Sequence, residues 1–264
     1  MNKRLLLSLF FLTLMASLMS LAGASALYAQ APEPRPNDEL IAEITAASEP
    51  LSLMTGISSD RRWDYEVIRY ECTPIDPGGG MSVTLMSYEI LTIRDRDNDA
   101  SEPQVIADQL SDCQGLGAVG LGILHSSENS RYLYYTDARE GFPDGGGGGT
   151  WLRPVFRLDT QDMSITPLGG GAFSTRRTML ITQDPPSPDG SVAPRSHLYD
   201  ANQAEPLASY DFTGEVLWLP DMSGVMIIEG DYQAQDYAIV NLINLETLQG
   251  STLLESGVKP EAAP

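Results

Sequence analysis

The sequence predicts an all-β fold, a β-propeller-like array of about four blades, small or incomplete as a ring and led by one short helix. Three observations carry this. Stretches rich in aromatic and β-branched residues recur in the order strand, loop, strand, turn, strand. Leu133-Tyr134-Tyr135, Met179-Leu180-Ile181 and Val225-Met226-Ile227 follow one another at about 46 residues, the length of one four-stranded blade. Tyr132 and Tyr134 fall on one face of their strand and Leu133 and Tyr135 on the other, so the strand is apolar on both sides and reads as a blade's inner strand, sandwiched between neighbours. The competing architecture is a β-sandwich, whose turns are also regular but whose loop lengths seldom recur in one order.

The first residues stand apart from this core. Lys3-Arg4, the apolar run Leu5 to Leu21 and the small residues Ala22, Gly23, Ala24 and Ala26 have the three regions of a secretory signal over 1–29, cleaved after Ala26 or Ala29. A retained anchor is the alternative reading, since the run is just long enough to cross a bilayer; after cleavage no stable membrane span is expected. Residues 30–50 hold a Pro-rich spacer and a helix. Pro32, Pro34 and Pro36 favour extended chain, and Asp38 to Ser48 places Leu40, Ile41 and Ile44 together behind acids in the first turn. Asn37 is the expected cap, Pro50 the stop, and the covering of an edge or end of the core the expected role.

The β domain is placed at 51–257 and a disordered tail at 258–264. Its first unit runs through Tyr65 to Tyr70, Met81 to Ile93, the acidic turn Asp95 to Asp99 and Val105-Ile106. A glycine-rich connector, Gly115 to Gly122, leads to the second, with strands at Tyr132 to Tyr135, Arg153 to Asp159 and Ile165 to Leu168. The third holds Ser174 to Ile181, His197 to Asp200 and Pro206-Leu207; the fourth holds Leu219 to Ile228, Tyr237 to Leu245 and Leu248 to Leu254.

Charge and cysteine content bound the environment. A net charge of −20 repels phosphate backbones and anionic lipid headgroups, so nucleic acid is not an expected partner. Cys72 and Cys113 are an even pair in a chain with an export signal, which favours a disulfide over two separate buried thiols. It would close a loop of about 41 residues, worth about 4 kcal/mol in the chain-entropy description. The expected location is extracytoplasmic: secreted, periplasmic or associated with the cell envelope.

Two recurring phrases carry a family resemblance. Leu219-Pro-Asp-Met-Ser-Gly224 and Ser127-Glu-Asn-Ser-Arg131, each ahead of a strand, resemble degenerate forms of the Ser-Pro-Asp-Gly-Lys turn that opens each repeat of TolB-type, WD-repeat-like β-propellers. The endings Arg157-Leu-Asp159, Leu198-Tyr-Asp200 and Ile243-Asn-Leu245 are similar to that family's second turn. The likeness runs from about Asp60 to Leu254, although glycine is missing from two of the opening turns. It implies blades packed face to face around an axis, with an end surface or central funnel that binds partners and performs no chemistry. Family members close rings of six or more blades. About four units here imply either a small closed ring or an open array, and an open array would expose strand edges and call for a cap, a partner or a second copy.

Candidate chemistry is sparse. Gly115-Leu-Gly-Ala-Val-Gly120 has the spelling of a dinucleotide loop, but Leu121 to Leu124 reads as a strand where that loop needs a helix. Asp95-Arg-Asp-Asn-Asp99 begins like a calcium loop, but Ala100 and Ile106 stand where glycine and a bidentate acid belong, so a solvated turn is expected and no metal or cofactor is assigned. His125 and His197 are the only histidines, neither near a Gly-x-Ser-x-Gly elbow, so no catalytic residues are assigned. The loop from Asp137 to Trp151 carries Arg139, Glu140, Phe142, Asp144 and Trp151 around five glycines, and is either a recognition loop or a slack insertion with Trp151 packed down. The reading is an exported non-enzymatic protein binding a protein, peptide or glycan at a blade-end surface. Its alternatives are a propeller module serving a separate peptidase or carbohydrate-active chain, as the resemblance to prolyl-oligopeptidase propellers suggests, or a structural envelope component.

Overall fold

The computed structural model describes residues 35–98, 100–113, 120–137, 152–185, 187, 191–230 and 237–257. The expected signal sequence and tail, most of the expected spacer, the connector 114–119, and the loop residues Arg139, Glu140, Phe142, Asp144 and Trp151 lie outside them.

Four antiparallel β-meanders follow one another in chain order. Blade 1 is β1 (Pro50–Ile57), β2 (Trp63–Ile75), β3 (Thr84–Asp95) and β4 (Gln104–Asp112). Blade 2 is β5 (Gly122–Ser126), β6 (Tyr132–Thr136), β7 (Arg153–Asp159) and the first part of β8 (Ser164–Phe173). Blade 3 takes the rest of β8 with β9 (Met179–Gln183), β10 (Ser196–Asp200) and β11 (Ala208–Tyr210). Blade 4 is β12 (Glu215–Trp218), β13 (Gly224–Gly230), β14 (Tyr237–Asn244) and β15 (Gly250–Gly257).

The strand β8 serves two blades: Ser164 to Gly171 pair with β7, and Gly170 to Phe173 pair with β9. Gly169 makes the swivel. Its φ is +86°, and a Cβ there would stand 2.2 Å from the carbonyl oxygen of Gln183, so both conformation and space require glycine.

Packing explains why every blade needs its neighbour. Tyr65, Val67 and Leu91 of blade 1 meet Leu133, Tyr135 and Leu158 of blade 2. The other face of blade 2, with Tyr132, Tyr134 and Val155, meets Leu180 and Tyr199 of blade 3. Ile181, Leu198 and Tyr210 then meet Val216, Val225, Ile227 and Ile243 of blade 4. The two apolar faces of β6 thus fill two interfaces, as their alternation requires. Among the described residues no apolar cluster joins blade 4 to blade 1. The fold is an all-β, propeller-like array with the three internal interfaces in place.

The elements correct several expectations. β6 is the second strand of its blade; β5 is the edge strand, and it lies against β1. Each blade has a first strand outside the three-strand units; that of blade 2 falls on the strand read at Leu121 to Leu124, whereas the second part of β8 and the four-residue β12 are too short or too glycine-rich to show a period. The helix α1 (Asn37–Ala47) starts one residue early, with Pro36 at the cap position and no side-chain cap bond from Asn37. Proline's fixed φ orients the entry, and its carbonyl accepts the N–H of Leu40 at 3.3 Å.

Of the two expected roles, covering an edge or an end of the core, the helix takes the second. Leu40 and Ile44 pack with Tyr70, Tyr88 and Leu110, which share the side of blade 1 turned away from blade 2. The cysteines form a disulfide with Cα atoms 6.1 Å apart. Its reach is made by a bulge between Tyr70 and Thr73, which lets β2 approach Cys113, the residue just after β4.

Candidate functional site

The two ends of the array differ. Turns of four to eight residues join first to second and third to fourth strands at one end, and connections of six to sixteen residues join second to third strands at the other.

The first-to-second-strand turns repeat one hydrogen-bond plan in all four blades. The N–H groups of Ser58, Ser127, Ser174 and Leu219 donate to the carbonyls of Trp63, Tyr132, Met179 and Gly224 at 2.8–3.0 Å. Three residues further on, Arg61, Ser130, Arg177 and Met222 turn left-handed, with φ between 58° and 64°. This is where the resembled motif favours glycine, so the departure lies in residue type and not in backbone path. In the first three turns the serine hydroxyl also accepts the strand's first N–H, from Trp63, Tyr132 and Met179. A second plan ties the two turns of each blade together: Arg96, Thr160, Ala201 and Leu245 donate to the carbonyls of Arg62, Arg131, Thr178 and Ser223.

On this common frame the side chains diverge. Blades 1 and 2 have arginine where blades 3 and 4 have Thr178 and Ser223. Arg62 reaches Asp95 at 2.9 Å, and Arg131 reaches Asp159 at 2.7 Å. The guanidinium of Arg62 also lies 4.7 Å from the centre of the Trp63 ring, and that of Arg131 lies 5.1 Å from Tyr132. Between these pairs opens a cleft of ≈ 580 Å³, walled by turns of both blades and floored by Trp63, Ile93 and Met163. Its rim carries Asp60, Glu102, Gln104 and Gln161.

The equivalent junction of blades 2 and 3 is closed. There the Asn129 side chain donates to the carbonyl of Asn202 at 3.0 Å, and the Asn202 side-chain oxygen accepts the N–H of Asn129 at 3.1 Å. In blades 1 and 2 the corresponding positions are Asp60 and Gln161. Asp60 turns to its own loop, accepting from the Ser58 hydroxyl and the N–H of Arg62, while its backbone N–H donates to the Ser130 hydroxyl at 2.7 Å. Those bonds, the Ser58 hydroxyl foremost, hold the Asp60 carboxyl below its usual range; the Arg62 guanidinium does the same for Asp95.

The sequence-nominated residues scatter. Asp95, first acid of the calcium-like run, is occupied by Arg62 and by the N–H of Asp97 at 3.0 Å. The glycine-rich connector enters a strand, β5, as expected. At its end Gly120 lies against Glu89, a carboxylate 2% exposed that is held by Arg69 and by the N–H of Leu121 at 2.7 Å. His125 is half-buried, stacked beside Tyr134 with Phe173 edge-on at 5.5 Å, and burial pushes its pKa down. His197 bridges Ser209 of β11 at 2.8 Å and Asp184, the residue after β9, at 3.0 Å, a network across three strands that the sequence reading missed. The candidate recognition loop springs from β6 and β7 at the end of blade 2 opposite the cleft. The cleft itself went unseen because the Ser58 turn was not matched to the Ser127 turn. Both place serine five residues before an aromatic, Trp63 and Tyr132, and that signal was available.

No protein-family model and no curated protein sequence matches the chain. Similar solved structures include the β-propeller domain of the Trilobed protease from Pyrococcus furiosus, 8% identical over 78% of this chain and 58% of that one, TM-score 0.34. The acylaminoacyl peptidase of Pyrococcus horikoshii is 7% identical over 78% of this chain and 32% of its own, TM-score 0.34. A puromycin-hydrolysing peptidase of Mycobacterium tuberculosis is 11% identical over 80% and 39%, TM-score 0.29. The chain therefore spans 58% or less of each of these structures. At these scores no residue correspondence follows.

Proposed function

We propose that this chain is an exported, non-catalytic, propeller-like module that binds a protein, peptide or glycan partner at its turn-end surface, in the cleft between blades 1 and 2. The observation that carries the reading is the cleft at this junction: where two side-chain amides bridge blades 2 and 3, blades 1 and 2 are joined by the Ser59 hydroxyl on the Ser127 carbonyl and the Asp60 N–H on the Ser130 hydroxyl, and the Gln161 amide is left at the rim. A wet cleft with its cations already paired favours reversible recognition. The turn series resembling TolB-type propellers supports the same assignment. Export rests on the leader-like first 29 residues and agrees with the disulfide; among the described residues no helix is long and apolar enough to cross a membrane.

The test is site-specific photocrosslinking in the producing cells, with benzoylphenylalanine at position 161, or at position 43 on α1 as the control. Discrete adducts from position 161 alone are expected. Identical patterns from both positions, or none from 161, overturn the assignment. Deleting Gly145 to Gly149 is expected to leave the adducts unchanged, because that loop is anchored at the opposite end of the blade.

A further inference from the structure

Resting on that reading, we infer that the cleft between blades 1 and 2 takes an extended peptide segment bearing a lysine or arginine side chain. The assignment comes from counting which groups of the cleft are already used. Both cations are internally satisfied: Arg62 by Asp95 and the Trp63 ring, Arg131 by Asp159 and the Tyr132 ring. An anionic ligand would have to break one of these pairs. The guanidinium of Arg62 also occupies a face of Trp63 that a sugar ring would need for stacking.

The rim groups left over are acceptors and amides. Asp60 is bonded to hydroxyl and backbone groups, those of Ser58 and Arg62 in its own turn and the Ser130 hydroxyl across the junction, and neither it nor Glu102 forms an ion pair among the described residues. Gln104 and Gln161 carry side-chain amides that form no bond among the described residues, each able to donate to and accept from a peptide backbone. The floor of Trp63 and Met163 suits the methylene stem of a long cationic side chain while its head stays at the wet rim. The charge of the whole chain, −20, draws the same class of partner from a distance.

The depressed pKa of Asp60 keeps it ionised below the ordinary carboxylate range, so the attraction persists into mild acid.

The experiment uses the full chain and three fluorescein-labelled seven-residue peptides of Gly and Ala, with two central Lys-Arg positions, the same positions as acetyl-lysine and citrulline, or two Glu. Fluorescence anisotropy is expected to show binding of the Lys-Arg peptide only, weakened several-fold between low and physiological salt. The pair Asp60→Asn with Glu102→Gln is expected to weaken it about threefold to tenfold, as two exposed ion pairs imply. Asp38→Asn with Glu39→Gln, the same charge change on α1, leaves it unchanged. Circular dichroism melts of both variants establish that they are folded.

Equal binding of the charged and neutralised peptides overturns the cationic assignment, as does equal weakening by the α1 control, which would place the effect in the overall field. Absence of peptide binding alongside position-161 adducts overturns the ligand class and leaves the cleft assigned. Absence of both overturns cleft and ligand together.

Discussion

Gly120 has a steric role legible only beside its partner. A Cβ at this position would fall 2.2 Å from a carboxylate oxygen of Glu89, and that carboxylate cannot swing aside without leaving Arg69 and the N–H of Leu121. Gly120→Ala is therefore expected to cost about 3 kcal/mol, the order of breaking a buried charge pair, in urea denaturation. In a Glu89→Ala background it should be nearly neutral, and equal costs in both backgrounds would remove the steric account. His125 makes a residue-scale prediction of opposite accessibility. Its folded pKa is lowered, first by burial and then by Arg177, so the unfolded chain takes up a proton near pH 6.5 that the native state resists. The contribution is complete above that pH and lost as pH falls through the folded pKa. Denaturation midpoints should decline below about pH 6.5, and His125→Phe should flatten the first part of the decline.

Strands and helix carry their own consequences. β8 changes blades at Gly169, where a side chain meets both a left-handed φ and the Gln183 carbonyl, so Gly169→Ala is expected to cost about 2–4 kcal/mol, by thermal or urea melts. The disulfide acts within blade 1, closing a chain separation of 41 residues that contains β3 and β4. Replacing both cysteines by serine should lower stability by about 2–4 kcal/mol, and earlier loss of protection in hydrogen exchange should be confined to β2, β3 and β4. The helix was foreseen with its buried Leu40 and Ile44 and as the cover of an edge or end of the core, but which end it covers was not. Apolar period shows that a helix has an inside face; it carries no address for that face.

At the scale of the molecule the array has unlike ends. Blade 1 is covered on its outer side by α1, whose Asp38, Glu39 and Glu43 keep the cap acidic, whereas Met226 and Ile228 on the outer side of blade 4 are half-buried without a described cluster against them. Small-angle scattering should therefore report an open stack of four blades and not a closed disc; a disc would require an apolar interface between blades 4 and 1, and among the described residues no apolar cluster joins them. Leu40→Ala with Ile44→Ala should destabilise blade 1 by several kcal/mol, on the order of 2–5 for each buried side chain, with exchange protection in blade 4 lost last because stacked units couple mainly to neighbours.

The recurrence of strands, the two-sided apolarity of Tyr132 to Tyr135, the pairing of Cys72 with Cys113 and the all-β class were legible in the chain itself. Each follows from local alternation, residue type or parity, which a linear code stores directly. The blade-sharing of β8, the short strand β12, the choice of which end α1 covers and the cleft were decided in three dimensions. The cleft arises where turns 69 residues apart, at Ser58 and Ser127, are brought side by side by packing of Tyr65 and Val67 on Leu133 and Tyr135. Its character depends on which charges have already found partners, and partnership is a property of distance in the folded chain.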